Sequence, residues 1–127
     1  MNVWQRILWL SAAGALGALS RYGLSGLVQR YAGSLFPWGT LAVNSIGCFL
    51  FGLGWVLAAE RLVISGEARL VILTGFMGAF TTFSTFTAET GQMLLRAEWA
   101  AGMANVFGGV VVGLLCFFLG LFLGRLV

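Results

Sequence analysis

Histidine and aspartate are absent from the 127 residues, and there are only one proline, two cysteines and four glutamates. Each scarcity removes a class of chemistry. Without histidine there is no histidine-based nucleophilic triad and no histidine ligand for zinc. Glu60, Glu67, Glu89 and Glu98 fall mostly at the ends of apolar runs, so the paired carboxylates of acid–base catalysis are missing as well. Cys48 and Cys116 each lie inside an apolar run, where a cysteine behaves as a small hydrophobe, and no disulfide or metal site follows from them. Charge is scarce too: 9 % of residues are charged, and the seven arginines behind the net charge of +3 are scattered singly. Nucleic acid finds no basic patch here, and nothing in the chain points to an enzyme.

What the sequence has instead is hydrocarbon. At 60 % apolar residues it is too greasy for a soluble domain of this length, and it reads as an integral membrane protein. Four stretches lack charge or nearly so: 7–28, interrupted by Arg21; 31–59; 70–88; and 99–124. A helix crosses the hydrocarbon with roughly 20 residues. The expectation is an all-α integral membrane fold, one transmembrane domain of four helices at about 5–28, 38–60, 69–95 and 99–124. The first stretch has no small-residue cleavage site after it and carries Arg21, so it is expected to stay as a span rather than act as a signal peptide. Short connections return each helix beside the one before it.

The third stretch differs from the others. Thr74 to Glu89, TGFMGAFTTFSTFTAE, is dense in hydroxyls, which need internal partners or a polar path to face. Gly75 and Gly78 precede the adjacent Thr81 and Thr82, residue types that weaken a helix or compete for its hydrogen bonds. Two readings satisfy this stretch. One is a broken helix whose freed carbonyls coordinate a cation in a buried or wet cavity; the other is a continuous helix that uses its glycines for close packing. Phe83 and Phe86, and beside them Thr82 and Thr85, are three apart and so share a helical direction. A phenyl edge is electropositive. Beside a hydroxyl it can hold a small anion through weak contacts of the kind conduction needs.

Polar residues elsewhere are few. Arg21 follows the small-residue pairs Ala13/Gly17 and Gly14/Ala18, and it either snorkels to an interface or turns into a polar vestibule. Asn44, about two turns past Pro37, either bonds to another helix or donates into a pore. Asn105, near the start of the fourth span, is the polar side chain of an otherwise glycine-spaced helix. With four spans, Arg6, Arg61, Arg69 and Arg125 fall on one side, and Arg30 and Arg96 on the other. That bias either suffices for one orientation or permits both, and insertion both ways allows an antiparallel pair.

These motifs closely resemble the Fluc family of fluoride channels, small four-span proteins through which fluoride escapes from microbes. The resemblance covers almost the whole chain: GALGALSRY in the first span, FPWGTLAVNSIGCFLFG at 36–52, TGFMGAFTTFSTFTAET at 74–90, and the glycine-spaced last helix. It implies a passive, selective fluoride channel in the bacterial plasma membrane, a dual-topology antiparallel homodimer with two pores and a third helix broken near its middle. It further implies a structural sodium ion (Na+) at the dimer centre, held by the main-chain carbonyls of Gly78 and Thr81. By the same resemblance Phe83 and Phe86 are pore phenylalanines, Asn44 the pore asparagine and Arg21 the vestibule arginine, with Thr82, Ser84 and Thr85 on the polar track. The chain departs from the family where many members carry a tyrosine and a serine, at Asn105 and Gly109, with Asn105 still able to supply a donor. Two rivals have other signatures. A small multidrug-type proton-coupled transporter wants a carboxylate inside an early helix, where this chain has Arg21 and offers only Glu89 in the third span. A non-transporting membrane assembly subunit rests on nothing more specific than the glycines.

Overall fold

A computed structural model describes residues Met1–Val127, and all of its regular structure is helical. Helix α1 covers Val3–Ala32. Asn2 opens it with a capping box: its Oδ1 accepts from the Gln5 amide at 2.8 Å, and Gln5 Oε1 accepts from the Asn2 amide at 2.9 Å. Gly33, at φ +97°, closes it in a backbone conformation that costs glycine little. Helix α2 begins at Trp38 behind Pro37 and runs to Trp55, then widens into a π-helical turn over Val56–Glu60. Helix α3 (66–80) starts at Gly66, capped by Ser65, is π-helical over Leu70–Met77, and ends with Gly78–Phe80. Helix α4 is Phe83–Leu95, and helix α5 is Trp99–Leu126.

Three segments are long and apolar enough to cross a membrane: Trp38–Glu60, Gly66–Leu95 with its interruption, and Trp99–Leu126. Helix α1 has 30 residues, a length of roughly 45 Å at the α-helical rise.

Small residues set how closely these helices approach. Ala13 and Gly17 of α1 are buried against α3, and a Cβ at Gly17 would collide with the Phe76 carbonyl. Helices α2 and α5 cross with backbone nearly on backbone: Gly52 lies against the Phe117 carbonyl and Gly120 against the Phe49 carbonyl. This is how helices associate where lipid supplies no hydrophobic drive between them. Val43, Leu73, Met77 and Phe80 form the buried apolar cluster between α2 and α3, with Leu24 and Phe76 packed onto it.

The ends are latched by polar groups. On one side Arg125 forks onto Glu60 at 2.7 and 2.9 Å, Arg61 donates to the Arg125 carbonyl at 2.7 Å, and Arg6 pairs with Glu67 at 2.8 Å. At the opposite end Gln29 accepts from the Gly39 amide at 3.0 Å and donates to the Phe36 carbonyl at 2.8 Å, which ties the α1–α2 connection to the start of α2.

Candidate functional site

The third span breaks at Thr81 and Thr82, both in extended conformation, with φ/ψ of −88°/158° and −149°/118°. The residues of this stretch left a broken and a continuous helix open and the family resemblance implied a break; the backbone is broken. Two side chains replace the lost helical bonds. Asn44 of α2 grips Thr82 as a backbone strand would: its Oδ1 accepts from the Thr82 amide at 2.8 Å while its Nδ2 donates to the Thr82 carbonyl at 2.9 Å. Thr82 Oγ1 then accepts from the Thr85 amide at 3.2 Å and so caps α4. In a continuous helix the Thr82 amide would bond to the Gly78 carbonyl, and the Thr85 amide to that of Thr81. Both amides are diverted, so the Gly78 and Thr81 carbonyls lose their helical partners.

Gly47, one turn along α2 from Asn44, makes room for the break. A Cβ there would collide with the Thr81 methyl. The Thr81 hydroxyl donates to the Met77 carbonyl at 3.0 Å, which keeps that side chain from swinging away.

Beside the break lies an open cavity of about 510 Å³. Asn44, Thr81, Thr82, Phe83, Phe86 and Gly109 are among its walls. The Phe83 and Phe86 rings stand 6.0 Å apart at 37°. Phe83 is 78 % exposed in the single chain. Thr82 Oγ1 donates to Thr85 Oγ1 at 3.0 Å and lies 3.4 Å from Ser84 Oγ, which joins the buried Thr82 hydroxyl to the exposed Ser84 and Thr85 at the α4 N-terminus.

The remaining candidates sit apart from these. Arg21 is half-buried on α1 and enters no ion pair, leaving its charge uncompensated by any carboxylate. Asn105 does not line the cavity; it is 2 % exposed and donates to Thr90 Oγ1 at 2.8 Å. Two contacts were missed from sequence. Thr90 Oγ1 donates to the Phe86 carbonyl at 2.8 Å, and the Thr40 hydroxyl donates to Glu89 Oε1 at 2.8 Å. The i, i+4 spacing of Thr82, Phe86 and Thr90 was the available signal for the first, because those positions form one stripe of α4.

The sequence profile of the family described as "CrcB-like protein, Camphor Resistance (CrcB)" matches residues 8–121. The chain belongs to the CrcB family. A relative from Nitrosococcus oceani named "Fluoride-specific ion channel FluC" is 54 % identical over 125 residues, covering 98 % of this chain and all of the relative. Proteins of the same name from Solidesulfovibrio magneticus and Magnetococcus marinus are 51 % and 41 % identical, over 97 % and 96 % of this chain and 98 % and 99 % of their own lengths. Within this family the broken third span and its cavity are the parts of the chain with chemistry to offer.

Proposed function

We propose that this chain is a passive, selective fluoride channel of the bacterial plasma membrane, with four spans per subunit and two opposed subunits enclosing two pores. The observation that carries the reading is 41–54 % identity, over nearly the full length, to relatives named as fluoride-specific ion channels. All relatives considered bear that name, and neither the proton-coupled exporter nor the assembly subunit gains support.

The route runs from a vestibule at Arg21, whose unpaired charge concentrates anions, past Asn44 and Thr82 to the rings of Phe83 and Phe86 and the hydroxyls of Thr82, Ser84 and Thr85. No fixed charge stands among these last groups, so an anion is held by ring edges and O–H donors that release it readily. The α4 N-terminus adds a partial positive charge beside the same hydroxyls. The second subunit is supported by what one chain leaves uncovered. Phe83, Ser84, Thr85 and Thr87 are exposed on a membrane-depth helix, and lipid is a poor solvent for hydroxyls. A sodium ion at the break is supported by the Gly78 and Thr81 carbonyls, hard oxygen donors relieved of their helical amides. When bound it would supply positive charge and a joint between the two breaks. Asn105 serves the polar track by holding Thr90 rather than by facing the cavity.

The test is electrode recording of fluoride and chloride efflux from liposomes holding only this protein, with valinomycin carrying potassium. Fluoride release with chloride retained is expected; equal release of both ions overturns the assignment.

A further inference from the structure

Phe86 is braced against α5 at both ends, directly at its ring and through Thr90 of α4 at its carbonyl. Its carbonyl accepts from Thr90 Oγ1 at 2.8 Å, and that oxygen accepts in turn from buried Asn105 at 2.8 Å. One turn beyond Asn105, Gly109 presents bare backbone, and the Phe86 ring occupies the space a side chain would take. A Cβ at 109 would stand 2.9 Å from Phe86 Cε2, 3.5 Å from Cζ and 3.7 Å from Cδ2. Carbon atoms prefer about 3.5–4.0 Å, so ring and side chain cannot both keep their places. The ring is the part that must yield, because the Gly109 backbone belongs to a helix crossed closely by α2. The ring lines the cavity and stands 6.0 Å from the Phe83 ring, so a shift of the ring changes the shape of that cavity. The contact is local to this position. At Gly108, the preceding residue, a Cβ would meet nothing within 4 Å.

We propose that Gly109 is a positioning residue for the ion pathway: its missing side chain sets how far the Phe86 ring stands out into the cavity, and through the ring it tunes conduction rate and fluoride-over-chloride selectivity. The proposal rests on the fluoride-channel reading and names a residue that determines the selectivity of that site. Gly109 needs no polar atom for this role, since it acts through the ring it seats.

Four variants test it in the efflux assay: Gly109→Ala, Gly108→Ala, Phe86→Met and the double variant Gly109→Ala/Phe86→Met. Each is first shown to elute as the wild-type oligomer. Gly109→Ala is expected to slow fluoride efflux about tenfold, equivalent to about 1.4 kcal/mol on the barrier, and to shift the fluoride-to-chloride ratio. Gly108→Ala should match the wild type. Methionine at 86 is flexible enough to give way to a new Cβ, so in that background Gly109→Ala should add no further loss. Wild-type rate and ratio in Gly109→Ala, losses that multiply in the double variant, or an equal loss in Gly108→Ala each overturn the proposal. Where Phe86→Met conducts too little to measure, the ion ratio in Gly109→Ala decides. A wild-type protein that passes no fluoride defeats the channel reading itself, a result distinct from all of these.

Discussion

Replacing Asn44 by leucine strips the break of both its bonds to α2 while keeping the side chain's branching and number of heavy atoms. The Thr82 amide, 2.8 Å from Asn44 Oδ1, and the Thr82 carbonyl, 2.9 Å from Nδ2, are left without partners. Thr82 is only 8 % exposed, so water does not substitute. Each orphaned backbone group costs about 1–3 kcal/mol, which places the loss for Asn44→Leu at about 2–6 kcal/mol. At about 1.4 kcal/mol per decade, the ordered break becomes at least tenfold less populated. Asn44→Asp divides the effect in another way. Its carboxylate still accepts from the Thr82 amide, but its second oxygen faces the Thr82 carbonyl and adds negative charge to the proposed anion path. Protonated, the same carboxyl presents an acceptor and a donor as the amide does, so acidification should restore part of the flux in Asn44→Asp and none in Asn44→Leu. Denaturant melts followed by tryptophan fluorescence, together with fluoride efflux against protein-free liposomes at each pH, read both quantities. An Asn44→Leu protein with wild-type melt and wild-type flux would refute the claim that this pair holds the break.

Phe83→Ile and Phe86→Ile should each depress fluoride efflux strongly while the protein elutes as the wild type does; undiminished efflux in Phe83→Ile would remove these rings from the proposed route. Thr85→Val loses the 3.0 Å bond from Thr82 Oγ1, a change of about 1 kcal/mol, and should cut efflux only a few-fold, whereas complete loss would mark this hydroxyl as indispensable. With Cys48 and Cys116 replaced, single cysteines at the exposed Ser34 and Val63 should each label about half from outside a sealed vesicle if the subunits are opposed, and labelling from one face alone counts against that arrangement. Exchange of sodium for a large organic cation on both sides, after long equilibration, should lower flux; unaltered flux and thermal stability would argue against a structural sodium ion.

The break was visible in the sequence, because glycines and paired threonines are poor helix formers and the family resemblance set it at Gly78 and Thr81, but the bonds that hold it were not. The Thr82 amide is taken by a side chain 38 positions earlier in the chain, and only the packing of α2 against α3 brings the two together. Local chemistry marked other features more directly. Pro37 stands where α2 begins, and the start of α1 follows from Asn2 and Gln5, whose capping box was legible yet went unused. Thr40 with Glu89 and Thr90 with Asn105 are cross-helix pairs, and helical periodicity marks a shared face without naming its partner on another helix. The π-helical turns had no specific signature: Thr74 and Gly75 weaken a helix but do not select i to i+5 bonding, and the rest of 70–77 is apolar.

That π-helical run stores slack. Its i to i+5 bonding accommodates more residues per turn than an α-helix. Deleting one residue from an α-helical stretch turns every position beyond it by about 100° and draws it back about 1.5 Å, but deleting one between 70 and 77 would let the segment close into ordinary α-helical bonding with the positions beyond it kept roughly in register. Thr82 would still face Asn44, and Thr81 would stay near the notch at Gly47. Single-residue length variation among natural relatives is therefore expected to be tolerated in Leu70–Met77 as well as in the connections between helices, and not in the α-helical stretches.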